Sequence, residues 1–466
     1  MSHPVSSPAP VVARDAASPW PVFFTACVAV FLVSVDSTVL FAAFSQLRGS
    51  FAGATAADVS WVINAYTVVY AALLVPAGRL ADTHGRKRVF MLGVSLFLIA
   101  SMACGLAPNL ASLIAARVLQ AVGAAMLTPA SLAIVLGVFP IEKRAVVVSL
   151  WGAVGGLAAA VGPSLGSWIV DAAGWRWAFF INLPPALWSL WRARTRLVEV
   201  PPPIARHRPD IIGVLLLALG VGTLTWAVVR TESQALVGAQ VLGGAAAGIA
   251  LLVAFVFWAR HRPEPALDLR LFDNRTYSAV NLATLVFGMA FSMMFFGFFF
   301  FMTGIWHYSL PLAGLAITPG PLLVVPVAMI SGRFAARAGH RPLLVTGCLL
   351  MALGGFWQAV VPGLDPDYLR DWLPGQILTG IGVGMALPSL SGAAVASLGP
   401  AQYGVGSAVN QAVRQFGSVL GVALTVVLVG SERLSLVEFR HLSLTYAGLA
   451  VLAAAICSVV QTRPRR

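Results

Sequence analysis

Charged residues are scarce in this sequence of 466 residues. Asp, Glu, Lys and Arg together make up only 10% of the chain, while 59% of the residues are hydrophobic. Soluble domains carry about a quarter charged residues. A chain with so little charge cannot hide its apolar surface in a water-shielded core. The composition therefore excludes an ordinary soluble fold and predicts a protein embedded in lipid.

The sequence also lacks the patterns of disulfide frameworks, metal sites and nucleotide sites. Its four cysteines are scattered one to an apolar segment, without paired spacing. No GxxxxGK[ST] phosphate loop is present, which argues against an ATP-driven pump in one chain. The apolar segments contain no convincing cluster of nucleophile, base and metal ligand. We therefore expect neither an enzyme nor a bound cofactor or metal.

Apolar runs long enough to cross a membrane are abundant. A helix needs about 20 apolar residues to cross about 30 Å of hydrocarbon. On this criterion the sequence predicts an all-α polytopic membrane protein with fourteen transmembrane helices. The predicted spans are 20–44, 60–78, 89–107, 110–138, 146–170, 176–192, 211–229, 236–258, 277–302, 312–333, 342–361, 372–397, 404–429 and 442–461.

The distribution of basic residues tests this number of spans. With fourteen spans, 22 Lys and Arg residues lie in the termini and even-numbered loops, and 6 lie in the odd-numbered loops. Basic residues mark the cytoplasmic side, so we expect both termini in the cytoplasm. The net charge of +13 is thus divided among short loops. It forms no continuous basic face, and we expect no nucleic-acid partner.

An internal repeat divides the chain into halves. The segment 78–88 recurs 254 residues later as 332–341, with two glycines and a basic cluster kept. A second segment, which begins at Arg117, recurs 259 residues later at Gln376. These offsets predict two pseudo-symmetric six-helix halves with two extra helices between them. The predicted divisions are a disordered cytoplasmic tail (1–19), an N-terminal half (20–193), a cytoplasmic linker with the two inserted helices (194–276), a C-terminal half (277–461) and a cytoplasmic tail (462–466).

Away from the ends of the predicted spans, only three charged residues occur, namely Asp36, Arg117 and Arg414. Such residues are costly in lipid and usually face a cavity or a partner. Burial favours the protonated form of a carboxyl group. Asp36 therefore fits a site that takes up a proton outside and releases it inside, although a purely structural pairing with an arginine is the alternative. Arg117 stays charged, so it can tune Asp36 or hold Asp82 but cannot carry the proton.

Several motifs resemble those of the major facilitator superfamily, whose members are built from six-helix halves. The segment 78–90 resembles the family loop GxLaDrxGrkxxl, with Thr83 where an arginine is usual. The segments 61–66 and 175–184 resemble signatures of the fourteen-span drug:proton antiporter branch, and 152–166 resembles its antiporter motif.

Two further motifs of this family indicate the proton-coupling site. Val35-Asp36-Ser37-Thr38 resembles the LDxT motif of the first span. Arg117-Val-Leu-Gln120 resembles the RxxQG motif of the fourth span. The resemblance therefore implies that Asp36 and Arg117 couple transport to protons, which serve as the coupling ion.

The resemblance extends from about residue 19 to residue 461 and implies a multidrug efflux transporter of a bacterial cytoplasmic (inner) membrane. Such a protein exports small lipophilic or amphiphilic compounds, such as drugs, dyes and antibiotics, in exchange for protons by alternating access. Its expected partners are the substrate, protons and membrane lipid, and we expect a monomer. A proton-coupled symporter or an exporter of one metabolite is the open alternative. The internal repeat and the absence of a sizeable extramembrane domain disfavour a channel or receptor.

The loop between the second and third spans is the predicted gate. Its glycines permit a tight turn, and Asp82 can accept hydrogen bonds at a helix N-terminus or pair with a nearby arginine. The basic residues can meet anionic lipid, and a role in topology alone is the alternative. The second copy has Ala336 in place of the acid, so we expect a single latch. The predicted gating residues are Gly78, Asp82, Gly85, Arg86, Lys87 and Arg88.

The fifth predicted span is rich in small residues. Their spacing places them along one helix face, which allows a neighbouring backbone to approach closely. Pro163 removes one ladder hydrogen bond and permits a bend. We expect this face to seal the path between alternate states, with ordinary helix packing as the alternative. The predicted antiporter motif comprises Gly152, Gly156, Gly162, Pro163 and Gly166.

The ninth predicted span carries phenylalanines at four-residue steps. They form one aromatic face, either for flat hydrophobic ligands or for packing against lipid and neighbouring helices. Arg414 lies one turn after Asn410, so both can face the same cavity. With Asp36 as the only acid in the spans, we expect neutral, monocationic or weakly anionic cargo. The predicted cavity residues are Asn64, Phe287, Phe291, Phe295, Asn410 and Arg414.

Overall fold

The computed structural model describes residues 18–51, 53–140, 143–199, 210–231, 238–398, 402–429 and 435–461. These residues form helices joined by short connections, and no strand occurs among them. A helix satisfies its backbone hydrogen bonds internally, as a segment in lipid requires. The predicted all-α class is therefore confirmed. The predicted tails, apart from residues 18 and 19, lie outside the described residues.

The N-terminal part contains a short helix and six longer ones. They are α1 (Trp20–Ser50), α2 (Ala56–His84), α3 (Arg86–Gly105), α4 (Leu110–Val138), α5 (Arg144–Ala173), α6 (Trp177–Phe180) and α7 (Leu183–Arg196). Capping boxes at Thr55 and Asn109 satisfy backbone N–H groups where α2 and α4 begin. α4 packs against α2 and α3, and α1 packs against α5.

The inserted helices and the C-terminal part follow. α8 (Ile211–Arg230) and α9 (Ala239–His261) pack against each other. The remaining helices are α10 (Arg275–Phe300), α11 (Leu310–Ile317), α12 (Pro319–Ala338), α13 (Arg341–Val360), α14 (Leu373–Ala396), α15 (Tyr403–Val429) and α16 (Leu436–Cys457). Short π-helical turns, Phe301–Ile305 and Tyr368–Trp372, follow α10 and precede α14.

Two glycine contacts show that the halves repeat the same helix packing. A Cβ atom added to Gly123 of α4 would lie 2.9 Å from the carbonyl oxygen of Gly93 in α3. A Cβ atom added to Gly382 of α14 would lie 2.6 Å from the carbonyl oxygen of Gly347 in α13. Small residues allow two helix backbones to approach this closely. These pairs are separated by the same two offsets as the sequence repeat.

Two predicted spans are broken in the structure. The span predicted at 176–192 consists of α6, a turn and α7, and the span predicted at 312–333 consists of α11 followed by α12. Proline lies in the first turn of both α7 and α12. Proline has no N–H to donate to the preceding turn, so it favours a new helix start at these positions. An apolar run reports burial in lipid and does not reveal such a break.

Twelve helices in the described part of the chain are long and apolar enough to cross a membrane. They include both inserted helices, whereas α5 and the α6–α7 pair are not among the twelve. The fourteen-span arrangement therefore stays a prediction.

The two halves meet along three sets of helices. α2 packs against α15, and α5 packs against α11 and α12. α1 and α10 meet through phenylalanine rings, with centroids 5.5 Å apart for Phe41 and Phe295 and 4.8 Å apart for Phe44 and Phe296. α8 packs against both α2 and α15 and so contacts both halves.

Asp210 ties the inserted helices to each other. Its buried carboxylate accepts hydrogen bonds from Gly213 N (3.0 Å) at the start of α8 and from Trp258 Nε1 (2.9 Å) near the end of α9. Ala266 N also donates to it, at 2.8 Å. The neighbouring carbonyl of Pro265 accepts from Arg79 Nη1 of α2 at 2.9 Å. The insert is thereby attached to the helix that leads into the predicted gate.

Candidate functional site

The predicted proton-coupling residues form a buried ion pair. Arg117 Nη1 on α4 lies 2.6 Å from Asp36 Oδ2 on α1, and each residue is only 1% exposed. Charges this deeply buried are tolerated when they are paired and hydrogen-bonded. From the sequence alone, Arg117 could interact with either Asp36 or Asp82. The structure pairs it with Asp36.

Two amide side chains complete the surroundings of the Asp36 carboxylate. Gln120 Nε2 and Asn182 Nδ2 both donate to Asp36 Oδ1 at 2.9 Å. The same two nitrogens donate to Ser101 Oγ on α3, at 3.1 and 3.0 Å. Gln120 lies one turn after Arg117 on α4, and Asn182 lies between α6 and α7. Four separate parts of the chain therefore converge on one carboxylate.

Arg117 also contacts α2. Its Nε donates to the carbonyl oxygen of Val62 at 2.9 Å, and its guanidinium carbon lies 3.9 Å above the ring of Tyr66. An arginine placed over an aromatic ring gains a cation–π attraction. These contacts with α2 hold the part of the guanidinium that does not bond to Asp36.

A line of aromatic rings connects this site to Arg414 of the other half. Tyr66 stacks on Tyr70 of the same helix, with ring centroids 5.9 Å apart. Tyr70 in turn lies close enough to Arg414 on α15 for an electrostatic interaction, and its hydroxyl is 3.4 Å from Thr128 Oγ1. Arg414 is partly exposed, and no described carboxylate forms an ion pair with it.

The second half keeps the backbone contact of Arg117 but not its charge. Gln376 of α14 aligns with Arg117 in the internal repeat. Its Nε2 donates to the carbonyl oxygen of Ile317 in α11, just as Arg117 donates to a carbonyl oxygen in α2. A neutral amide replaces the guanidinium at this position. The two halves therefore share this contact with a backbone carbonyl, but only the N-terminal half has a charge there.

The small-residue face of α5 packs directly against α1, close to Asp36. A Cβ atom added to Gly166 would lie 2.9 Å from the Cα atom of Val39, and one added to Gly162 would overlap the Thr38 side chain. Pro163 approaches the other half, because its carbonyl oxygen would lie 2.6 Å from a Cβ atom added to Gly314 of α11.

The remaining two glycines of the predicted antiporter motif are less informative. Among the described residues, no atom outside the backbone of α5 lies within 4 Å of the position that a Cβ atom of Gly152 would occupy. Gly156 belongs to α5, but its surroundings are outside what the structure describes.

The predicted gate is a turn between α2 and α3. Asp82 pairs with Arg86 one turn later at 3.1 Å, and Arg86 Nη1 also donates to the carbonyl oxygen of Ala133 in α4 at 3.1 Å. Gly85 has a φ angle of 100°, a conformation that favours glycine. A Cβ atom added to Gly78 would lie in ordinary van der Waals contact with Pro129 of α4. Asp82 was predicted to bond either to a helix N-terminus or to a nearby arginine, and the structure shows an arginine, Arg86.

Glu199, which sequence reasoning missed, occupies the N-terminus of α3. Its carboxylate accepts hydrogen bonds from Lys87 N at 3.2 Å and Arg88 N at 3.0 Å. The first N–H groups of a helix lack partners and carry partial positive charge, so a carboxylate is favoured there. Lys87 Nζ donates back to the carbonyl oxygens of Leu197 (2.6 Å) and Arg194 (3.3 Å). The gate is thus fastened to the end of α7.

The predicted aromatic face of α10 is mostly buried. Phe287 and Phe295 are buried, whereas Phe291 between them is partly exposed. Phe287 stacks on Phe291 at 6.3 Å, and Phe291 lies 6.0 Å from Phe295. Phe295 also contacts Phe41 of α1. Phe291 is therefore the member of this set with the most surface left for a ligand.

The two predicted cavity asparagines are buried. Asn410 donates to Asn281 Oδ1 (3.1 Å) and Thr284 Oγ1 (2.9 Å), both on α10, so its amide joins α15 to α10. Asn64 Nδ2 donates to Ser60 Oγ at 3.3 Å, while its Oδ1 is buried without a hydrogen-bond partner. Neither contact involves Arg414.

The residues missed by sequence reasoning are uncharged, apart from Glu199. Gln120 stood in the motif that begins at Arg117 but was given no role, although its place one turn after Arg117 puts it on the same helix face. Asn182 precedes a Pro-Pro pair, which signals a break in the helix and hence a side chain free of regular helix packing. Ser101 has no such signal, because single serines are common in membrane helices.

A comparison with protein families matches the model of the Major Facilitator Superfamily to residues 26–210 and 278–466. The cephamycin export protein CmcT of Amycolatopsis lactamdurans is 33% identical over 450 residues, which cover 94% of this chain and 91% of CmcT. The puromycin resistance protein pur8 of Streptomyces alboniger is 35% identical over 408 residues, which cover 84% of this chain and 78% of pur8.

One further relative and one solved structure of similar fold extend the comparison. The multidrug transporter protein MdtP of Bacillus subtilis (strain 168) is 29% identical over 453 residues, which cover 94% of this chain and 81% of MdtP. The crystal structure of a D-xylose-proton symporter superposes with a TM-score of 0.68 at 14% identity and covers 95% of this chain and 98% of the symporter. The predicted family is confirmed, and the chain belongs to the Major Facilitator Superfamily, whose members are membrane transporters.

Proposed function

We propose that this protein is a secondary active transporter that exports small lipophilic or amphiphilic compounds in exchange for protons by alternating access. Asp36 carries the proton, and Arg117 tunes it. The observation that carries this proposal is the buried ion pair of these two residues, held by Gln120 and Asn182. The relatives named for multidrug transport, cephamycin export and puromycin resistance support the direction of transport.

The electrical difference between the halves supports one proton site rather than two. Arg117 faces an acid in the N-terminal half, whereas the described partners of the Gln376 side chain in the C-terminal half are a backbone carbonyl and the Tyr368 hydroxyl. Protonation of Asp36 removes the negative charge that Arg117 attracts. The attraction between two charges in a low-dielectric interior is strong, so its loss can bias the packing of α1 and α4. The stacked rings of Tyr66 and Tyr70 provide a physical path from Arg117 to Arg414.

The proposed topology has fourteen spans, with both termini in the cytoplasm of a bacterial cell and the protein acting as a monomer in the inner membrane. The twelve helices that meet the length and composition criteria support it. α5 and the α6–α7 pair supply the other two spans. α5 packs against α1 along its small-residue face, and α7 packs against α1 and α3, so both belong to the N-terminal bundle.

The proposed substrate site lies at the seam between α2, α10 and α15. Arg414 has a guanidinium with no described acidic partner, and Phe291 has free aromatic surface. A flat amphiphile with a hydrogen-bond acceptor or a weakly acidic group fits both contacts. Asn64 and Asn410 then support the surrounding helices, with the unpartnered Asn64 Oδ1 as a further polar contact.

The alternative function is export of one specific metabolite. The relative named as a cephamycin export protein favours it, because the match covers 91% of that protein. A proton-coupled symporter is the second alternative, supported by fold similarity to a D-xylose-proton symporter at 14% identity. The number of compounds exported separates the first alternative from the main proposal, and the direction of the proton separates the second.

Dye efflux and proton movement together test the proposed function. We expect cells of an efflux-deficient bacterial host that express the protein to expel ethidium and to tolerate puromycin at several-fold higher concentration than vector controls. A protonophore should stop the efflux. In liposomes, substrate moving one way should drive protons the other way, whereas co-directional movement would indicate a symporter. A panel of toxic compounds in the same host distinguishes a multidrug exporter from one that handles a single product.

Asp82→Ala tests the proposed gating latch. Removing the carboxylate frees Arg86, which holds α3 to α4 through Ala133, so we expect the equilibrium between inward- and outward-facing forms to shift and the export rate to fall. Cysteine accessibility on the two sides of the membrane measures that equilibrium. Asp268→Ala is the control, because Asp268 forms a comparable exposed ion pair with Arg270 outside the gate. Unchanged transport and accessibility in Asp82→Ala would remove the latch from the mechanism.

A further inference from the structure

Asp36 accepts its hydrogen bonds from groups that cannot accept one in return. Oδ2 faces Arg117 Nη1, and Oδ1 faces Asn182 Nδ2 and Gln120 Nε2. A guanidinium and an amide NH₂ group carry hydrogens and offer no acceptor. This arrangement suits an ionised carboxylate. It provides no acceptor at these three atoms for the hydrogen of a protonated Asp36.

The Ser101 hydroxyl fixes the orientation of both amides. It donates its hydrogen to the carbonyl oxygen of Phe179 at 3.0 Å, so its oxygen is left to accept. Gln120 Nε2 and Asn182 Nδ2 both lie within 3.1 Å of that oxygen. While Ser101 donates to Phe179, the NH₂ group of each amide therefore points toward Ser101 and Asp36. An amide that turns over takes the Ser101 hydrogen in place of the Phe179 carbonyl oxygen.

The two amides differ in what holds their oxygens. Gln120 Oε1 accepts from Arg117 Nη1 at 2.6 Å and from Cys104 Sγ at 3.7 Å. Turning Gln120 over would place its NH₂ group against the guanidinium. Asn182 Oδ1 forms no hydrogen bond with any residue in the described ranges. Asn182 is thus the donor that can turn over at the smaller cost.

The position of Asn182 in the chain also permits this movement. It lies in the turn between α6 and α7, separated by one residue from Pro184 and Pro185. Gln120, in contrast, lies within the continuous helix α4.

We propose that Asn182 is a positioning residue for Asp36. It donates to the carboxylate when Asp36 is ionised, and it turns over to accept from the carboxyl group when Asp36 is protonated. This inference rests on the proposed role of Asp36 as the proton carrier. It adds a residue from the α6–α7 turn to the proton site and explains how the site accommodates both forms of the acid.

Infrared difference spectra of the purified full-length protein over a series of pH values test the proposal without a substrate. The carbonyl stretch that is present in the wild type and absent from Asp36→Asn belongs to protonated Asp36. In Asn182→Ala we expect this band to reach half intensity at a higher pH than in the wild type, because the hydrogen bond that ionised Asp36 loses is stronger than the one that protonated Asp36 loses. We also expect the band at higher wavenumber, because the carboxyl hydrogen has lost its acceptor.

Gln358→Ala is the matched control, since Gln358 is an equally buried amide that bonds to Tyr446 in the other half. It should leave the Asp36 band unchanged. An Asp36 band that Asn182→Ala leaves unmoved in both pH and wavenumber would overturn the role of Asn182 and spare the proton carrier. A wild type with no Asp36 band over the pH range in which it stays folded would overturn both proposals.

If Asn182→Ala does not fold, the wild type itself provides the test. Protein labelled with ¹³C at the asparagine side-chain carbonyl should show an amide band that changes together with the Asp36 band. That change should vanish in Asp36→Asn. An asparagine band that stays constant while Asp36 titrates would contradict the proposal.

Discussion

Asp36→Asn is expected to abolish proton-coupled export while the protein still inserts in the membrane. Asparagine is nearly the same size as aspartate and cannot take up a proton in the physiological range. The carboxylate is 1% exposed and receives three hydrogen bonds, so no other described acid can replace it at this site. In inside-out vesicles, substrate addition should release no protons, and ethidium transport should fall to the level of vesicles without the protein.

The matched control is Asp58→Asn. Asp58, on α2, also takes part in hydrogen bonds, but it belongs to the capping box at the start of that helix and is partly exposed. We expect this variant to transport at close to the wild-type rate. Substrate-dependent proton release by Asp36→Asn would refute the assignment of Asp36 as the carrier.

Arg117→Met is expected to cause the largest loss of stability among single substitutions at the site. It leaves Asp36 as a buried charge without a counter-ion, and breaking such a pair costs about 3–5 kcal/mol. The methionine also loses the hydrogen bond to Val62 and the contact with Tyr66. We expect a clear fall in the melting temperature of the detergent-solubilised protein. Arg176→Met is the control, because Arg176 also bonds to a carbonyl oxygen and lies over an aromatic ring, but is exposed.

The double variant Asp36→Asn/Arg117→Met separates charge from packing. If the penalty comes from the unpaired carboxylate, the double variant should recover a large part of the stability that Arg117→Met loses. Transport should stay absent, because the proton carrier is missing. A double variant as unstable as Arg117→Met would show that the arginine acts through its contacts with α2 and not through Asp36.

The charged residues of the proposed proton site were predictable from the sequence, and the neutral ones were not. A carboxylate and a guanidinium inside apolar spans are rare, so Asp36, Arg117 and Arg414 stood out at once. Their pairing could not be predicted, because Arg117 could reach either of two acids. Gln120, Asn182 and Ser101 are neutral and cost little in a membrane helix. Their importance arises only from the three-dimensional arrangement, in which α1, α3, α4 and the turn before α7 meet around one carboxylate.

The fold shows the same limit. Hydropathy predicts membrane-crossing segments, and the repeat predicts two halves, because both predictions depend on composition and spacing along the chain. The breaks before α7 and α12 depend on single prolines within apolar runs, and hydropathy averages over them. Glu199 was missed for a different reason. An acid in a linker is unremarkable in sequence, and only the fold places it at the start of α3.

The position of α8 has a consequence for how cargo can enter. A lipophilic compound dissolved in the bilayer can reach a central cavity sideways, through a gap between the halves, without first passing into water. The seam formed by α2 and α15 is one such approach, and α8 packs against both of these helices. The inserted hairpin therefore screens that seam from lipid. For the proposed exporter, sideways entry is left to the opposite seam, where α5 meets α11 and α12.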